Sequence, residues 1–275
     1  MSPWLNKWRD RLEAQRNVVC ARARPVLSRY VSRCVLRLGR DRVCLVEPGG
    51  RLLRDMSILE PMRSPEAESA IASLLAPPKR NGLHLLDAVI GEPWVHYFVL
   101  GWRPLPRPVD WAEAARVQLM RMGLGAPDQW RLCIEDGAWQ KSRFGAAMPE
   151  SLCGAIEQGA RQSGLLLRSI LPCVTYAIAA HARAIGGDGA LIQVEAGGGR
   201  FIAHVAFRHD NDWAGFVTLP LDPGRLADAL SDAAVLCRVA WPLRSYVLGP
   251  QIAKEWLDGL PDPQWLAQPW NEDSA

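Results

Sequence analysis

The segment "LIQVEAGGGRFIAHVAF", residues 191–207, sets an apolar run, three consecutive glycines and a second apolar run side by side. The runs are too short for helices and carry β-branched and aromatic residues. Glycine supplies the positive φ that a tight turn needs, so the segment predicts a β-hairpin. Past "HDND", the string "WAGFVTLPL" adds a third strand, and "DPGRLADALSDAAVL" then reads as a helix with Asp222 as cap and Pro223 in its first turn. A meander that must bury one face against a helix places the chain in the α/β class. The glycine turn has two readings. It is the tip of a hairpin, or its backbone N–H groups form a cradle for phosphate. Arg200, next to the glycines, either steers phosphate or faces solvent as alternate strand residues do.

The same vocabulary runs through the rest of the chain. "RVCLVEPGGRLLRDMSIL" reads as two strands around Pro-Gly-Gly, and "SPEAESAIASLLA" as a helix with Ser64 as N-cap and Pro65 at its first position. "LHLLDAVIGEPWVHYFVLGW" predicts a hairpin around Gly91-Glu92-Pro93. "DWAEAARVQLMRMG" predicts a helix capped by Asp110 with Glu113 completing the capping box. Trp111, Ala115, Leu119 and Met122 form its buried stripe, and Gly123 stops it. "QWRLCIEDGAWQKSRF" reads as a hairpin over Asp136-Gly137, and "PESLCGAIEQGARQSG" as a helix burying Leu152, Ile156 and Ala160. A strand "LLLRSILP", a buried helix "CVTYAIAAHARAIGG" and a last strand "AWPLRSYVL" complete the pattern before a polar, Trp-containing tail. Strand pairs followed by a helix recur near 83–123 and near 188–236.

Composition narrows the class further. Of 275 residues, 49% are hydrophobic, enough for a sizeable core. The most apolar stretch, "GLLLRSILPCVTYAIAA", is broken by Arg168 and Pro172, so no membrane span is expected. The N-terminus lacks the apolar core of a signal peptide, so the chain is expected to stay in the compartment where it is made. Seven cysteines contain no C-x-x-C pair and read as small hydrophobes in a reducing environment, with no zinc site.

Positive charge is concentrated at one end. Residues 1–43 hold eleven Lys/Arg against three acids, a net +8 in a chain whose total is +3. Residues 3–38 place apolar groups at roughly helical spacing: Trp4, Leu5, Trp8 and Leu12, then Val18 and Val19, then Val26, Leu27, Tyr30, Val31, Cys34 and Val35. Pro25 separates two predicted helices. A basic amphipathic helix lies on an anionic membrane surface, docks a partner, or packs on its own domain. Trp4, Lys7, Trp8, Arg11 and Arg16 are the candidates for such a surface. Only four of the 32 basic residues are lysine, an arginine bias that speaks for base composition rather than for nucleic-acid binding.

Catalytic and metal motifs are missing. No G-x-G-x-x-G links a strand to a helix, and no G-x-x-x-x-G-K-[ST] or G-x-S-x-G occurs. The five histidines form no H-x-x-x-H or H-x-E pattern. His181 reads as a core histidine, His204 as a residue of the outer sheet face, and "HDND" as an Asx turn. No catalytic residue and no metal ligand is assigned.

Three segments in order, "AVIGEPWVHYFVLGW", "DWAEAARVQLMRMGLGAPDQWRL" and "SGLLLRSILPCVTYAIAAHARAI", together with the second hairpin, resemble the actin-like ATPase fold. Within it the likeness is to cytoplasmic actin-like proteins of type IV pilus assembly and to the cytoplasmic domain of type II secretion protein L. The resemblance implies two actin-like, ribonuclease-H-like β-meander-plus-helix halves behind a basic helical N-terminal extension. The boundaries are 1–40 for the extension, 41–165 for the first half, 166–250 for an incomplete second half and 251–275 for a tail. Active members carry D-x-G at each hairpin tip. Here Gly91 has Val89 two residues before it and Glu92 after it, while the second tip reads Glu195-Ala196-Gly197 with Gly198 and Gly199 following. The glycine pair expected late in the second half is reduced to Gly249.

The resemblance therefore implies a non-catalytic scaffold, cytoplasmic and peripheral to the inner membrane. It would bind a bitopic membrane protein of a pilus or secretion machine and use no cofactor, and homo-oligomerisation is compatible with it. Two alternatives stand beside this reading. One is an ATPase holding Mg-ATP through Gly91, Glu195, Gly197, Gly198, Gly199 and Arg200. The other is a nucleic-acid-associated protein working through residues 7–42, whose binding would fall steeply with salt.

Overall fold

A computed structural model describes residues 31–47, 51–58, 64–75 and 82–269. The first sheet is built from β1 (Val31–Leu38), β2 (Arg42–Val46), β3 (Leu52–Ser57), β4 (Leu83–Ile90) and β8 (Leu166–Pro172), in the order β3-β2-β1-β4-β8. β1, β2 and β3 run antiparallel, while β4 and β8 join parallel to β1. The second sheet has the same plan. β9 (Gly189–Gly197), β10 (Arg200–His209), β11 (Asp212–Leu221), β12 (Ser245–Leu248) and β13 (Pro263–Trp265) lie in the order β11-β10-β9-β12-β13. Here too the first three strands are antiparallel and the last two join parallel. Each meander reaches its parallel strand through one helix, α1 (Ser64–Leu74) before β4 and α5 (Leu226–Cys237) before β12.

A smaller antiparallel sheet is inserted between β4 and β8. It consists of β5 (His96–Leu100), β7 (Arg143–Pro149) and β6 (Trp130–Ile134). α2 (Pro108–Arg121) covers one of its faces through Trp111, Ala115 and Leu119. α3 (Glu150–Gln162) packs on α1, burying Leu152, Ile156 and Ala160 as the spacing predicts, and α4 (Cys173–Ala180) follows β8. The largest core joins all three sheets. Leu36 of β1, Leu86 of β4, Ala146 of β7, Leu191 of β9, Ala206 of β10 and Tyr246 of β12 belong to one buried cluster. A second cluster packs Val194, Val205 and Phe207 against Leu226, Leu230 and Ala233 of α5.

Several expectations are corrected by this architecture. Val31 to Leu38 is a strand, not the end of a helix. Val35 and Leu36 are consecutive and both buried, in different clusters, as a central strand covered on both faces requires. The strands around Gly91 exist but do not pair with each other, since β4 belongs to the first sheet and β5 to the inserted one. The repeating unit is thus 31–90 with 189–248, rather than 83–123 with 188–236. The second sheet continues to Trp265, past the boundary placed at 250.

Local details shift as well. α2 begins three residues early: Arg107 is its cap, and Asp110 sits at the third position with its carboxylate on the Arg107 N–H and guanidinium. The β6–β7 connection runs from Glu135 to Ser142 and is no two-residue turn. Of the predicted stripe, Trp111, Ala115 and Leu119 are buried, but Met122 is exposed. α4 stops at Ala180, where His181 takes the C-cap position. Asp222 precedes the cap of α5, which is Arg225.

Candidate functional site

Superposing the two sheet plans makes the β1–β2 turn the counterpart of the β9–β10 turn. β1 turns at Gly39, whose N–H donates to the Arg42 carbonyl at 2.9 Å, and β9 turns at Gly197, which pairs with Arg200. Two residues before each glycine is the position at which the resemblance to active members implies a carboxylate. In the second turn it is Glu195, and in the first it is Arg37. In the sheet plan the counterpart of the second turn is therefore the turn at Gly39, while Gly91 follows β4. The signal was present as "CVLRLGRDRVCLV", two apolar runs around Gly-Arg-Asp. It was hidden because the basic residues of β1 also fit a helical spacing.

The two turns touch. The Gly198 N–H donates to Asp41 Oδ2 at 2.8 Å. A Cβ on Gly197 would lie 3.0 Å from Arg40 Cβ, so the tips approach as closely as glycine allows. Gly198 and Gly199 have φ of 60° and 72°, which fits a two-residue hairpin turn of two left-handed residues. Between the tips lies a cleft of about 440 Å³ lined by Arg37, Asp41, Arg42, Gly198, Gly199 and Arg200.

Glu195 points away from that cleft, toward the end of β4. Its Oε2 accepts the Glu92 N–H at 3.1 Å, and its Oε1 accepts Gln193 Nε2 at 3.0 Å. His204 Nε2 lies 3.4 Å from the same Oε1. Burial alone pushes the Glu195 carboxyl up. His204, the charge of Arg37 and the Glu92 N–H outweigh it and hold the group below its ordinary value. Gly91 is where it is because of this carboxylate: a Cβ there would stand 2.6 Å from Glu195 Oε2. Glu92 in turn is clamped by Arg40, whose Nε and Nη2 donate to its two oxygens at 2.8 and 2.6 Å. Trp94 Nε1 reaches the Gly39 carbonyl at 3.3 Å.

The structure thus brings Gly91 to Glu195, and Gly197, Gly198 and Gly199 to Asp41, while Arg200 sits exposed on the cleft rim. His204 is not on an outer face. It is 1% exposed, bonded through Nδ1 to Thr218 Oγ1 at 2.9 Å and packed on Tyr97 and Phe216. Cys173 accepts Gln193 Nε2 at 2.7 Å, and burial pushes its thiol well up, which makes it a poor nucleophile. His181 is satisfied by the Ala267 carbonyl at 2.7 Å. In "HDND", Asp210 and Asn211 adopt positive φ as turn residues. Trp4, Lys7, Trp8, Arg11 and Arg16 lie outside the described residues. Among the described residues no helix is long and apolar enough to cross a membrane.

No protein-family model matches the chain, and no curated protein matches it in sequence. Solved structures do. A chain of the PilM-PilN type IV pilus biogenesis complex aligns over 88% of this chain and 89% of its own, at 16% identity and a TM-score of 0.54. A Bacteroides thetaiotaomicron protein with an actin-like ATPase fold and unknown function aligns over 87% and 92%, at 7% identity and a TM-score of 0.52. The cytoplasmic domain of EpsL, an inner membrane component of the type II secretion system of Vibrio cholerae, aligns over 86% and 85%, at 10% identity and a TM-score of 0.47. The chain has the actin-like ATPase fold.

Proposed function

We propose that this protein is a non-catalytic actin-like scaffold at the cytoplasmic face of the inner membrane, in a pilus-assembly or type II-like secretion machine. Its partner in this reading is a bitopic membrane protein. The observation that carries the reading is the bond from the Gly198 N–H to Asp41. A phosphate cradle needs that N–H aimed at the anion; here a carboxylate of the chain itself takes it. The carboxylate that would hold magnesium in the first turn is replaced by Arg37, and Glu195 is spent on the Glu92 N–H. A magnesium ion needs oxygen ligands, which an arginine at this position does not provide. The machine and the partner come from the likeness to a pilus biogenesis complex, whose similarity in fold supports this part of the proposal.

The test has two arms. Photo-crosslinking from residues on the surface of the full chain in its native cell, followed by membrane fractionation, should trap an inner-membrane protein with a short cytoplasmic segment. ATP hydrolysis by the purified chain should stay at the buffer background. Turnover that Glu195→Ala abolishes would replace the scaffold with an ATPase.

A further inference from the structure

One end of the inserted sheet presents two tryptophans to solvent. Trp102 stands on the connector from β5 to α2 and Trp139 on the β6–β7 loop, with exposures of 43% and 61%. Their rings meet edge to face at 6.0 Å. Trp94, Trp111, Trp130 and Trp213 each donate the indole N–H to an oxygen of the chain. Neither Trp102 nor Trp139 does so among the described residues. Both connections are fastened through Arg143. Its Nη1 and Nη2 donate to the Glu135 and Gly137 carbonyls at 3.2 and 3.3 Å, and its guanidinium lies 4.6 Å over the Trp111 ring. Trp111 Nε1 in turn donates to the Leu105 carbonyl at 2.9 Å. The pair is therefore built in advance rather than assembled on contact, which lowers the cost of binding.

The charge around the rings is slight. Arg103, exposed beside Trp102, pairs with no carboxylate among the described residues. Arg107 is taken by Asp110, and Asp136 is fully exposed in the loop that carries Trp139. This end thus offers two apolar ring faces, two unbonded N–H donors and one unpaired guanidinium. A partner must supply hydrocarbon and acceptor oxygens together. The boundary of a lipid bilayer does so, with acyl chains below a layer of ester and phosphate oxygens, and indoles concentrate there for that reason. We propose that Trp102 and Trp139 are a membrane anchor that enters the interface of a bilayer, with Arg103 on a lipid phosphate. The inference rests on the reading of the chain as a protein of the inner-membrane face. It is distinct from an attraction of the basic N-terminal residues to anionic lipid, which salt would screen.

Co-sedimentation of the full chain with neutral phosphatidylcholine vesicles in about 0.5 M NaCl tests it, because charges more than a few ångströms apart are screened there. Binding is expected. It should weaken at least about tenfold in Trp102→Ala/Trp139→Ala, in line with the cost of exposing buried apolar side chains. It should be kept in Trp241→Ala, which removes an exposed tryptophan before β12. Vesicles with brominated acyl chains should quench the fluorescence of the natural chain more than that of the double variant. Unchanged melting of the variants shows that they fold. No binding in high salt, or binding and quenching that survive the double change, overturns the inference. A photo-crosslinker at residue 139 that captures a protein, while vesicles leave the fluorescence unquenched, overturns it too and assigns the pair to a protein contact. Each of these failures leaves the scaffold reading intact, since that reading stands or falls on the membrane partner and on ATP turnover.

Discussion

The N–H of Gly198 donates to the carboxylate of Asp41, 157 residues earlier in the chain, and so fastens the turn of the second sheet to the turn of the first. Around this contact the Arg40–Glu92 pair and the Glu92–Glu195 bond run in series, so that the same small region links β1, β4 and β9. One apolar cluster continues behind it through all three sheets. The account predicts a molecule whose two large sheets are fixed to each other by packing and by these bonds.

Gly91 and Glu195 should behave as one unit. Gly91→Ala pushes a methyl into the Glu195 carboxylate, 2.6 Å away. The expected loss is about 1–3 kcal/mol, the usual cost of overpacking a filled site. Removing the carboxylate should relieve it, so Gly91→Ala/Glu195→Ala should lose less than the two single changes added. Urea unfolding of the four chains measures the coupling; strict additivity would mean that the two residues do not meet.

Glu195 should also leave a mark on stability against pH. Its folded pKa is depressed, so its charged form stabilises the fold at neutral pH, and that contribution is lost as pH falls through the folded value, below 4.5. Glu195→Gln keeps the shape but not the charge, and should cost roughly 1–3 kcal/mol at pH 7. The difference from the natural chain should shrink steadily below pH 4.5. A difference that stays constant from pH 7 to pH 3 would mean the charge contributes nothing.

Arg37→Asp should weaken that dependence. Arg37 is one of the charges that hold the Glu195 carboxyl down, so a carboxylate in its place works against that depression. The variant's deficit should be largest at neutral pH and should shrink as pH falls, in the same direction as that of Glu195→Gln. The same urea series reads it, and a loss independent of pH would show that Arg37 acts by packing alone.

Gly145 and Phe98 test the inserted sheet separately from the cleft. A Cβ on Gly145 would stand 2.4 Å from the Phe98 ring, which is 4% exposed and belongs to the core under α2. Gly145→Ala should cost about 1–3 kcal/mol, and Gly145→Ala/Phe98→Leu less than the sum. Retention of full stability by Gly145→Ala would mean that the ring moves aside freely.

Much of the fold was legible in the sequence because period and punctuation agreed. The β9–β11 meander carried its glycines and alternation openly, and α3 its stripe of Leu152, Ile156 and Ala160. The site was half legible. Glu195 and the glycines were visible as a motif, but their first-turn counterpart was not. β1 is buried on both faces, so it lacks the strict alternation of a half-exposed strand, and its arginines at 33 and 37 sit four apart, as on a helix. The strands flanking Gly91 looked like a hairpin because adjacent strands usually pair; an inserted sheet broke that rule. His204 was misplaced for a related reason. It faces the inserted sheet, against Tyr97, where its buried imidazole lies beside Glu195 and Thr218 of the neighbouring strands, and nothing in its immediate neighbours signals that this second face of β10 is covered.

The most direct measurement is the melting temperature of the full chain with and without millimolar Mg-ATP. A ligand at a hundred times its dissociation constant stabilises a fold by about 2.7 kcal/mol, which for a chain of this size is a shift of several degrees. The scaffold reading predicts no shift, because Asp41 holds the Gly198 N–H and the residue two before Gly39 is Arg37 rather than a carboxylate. A shift of several degrees that Gly198→Val abolishes would contradict it and make the glycine turn a nucleotide site.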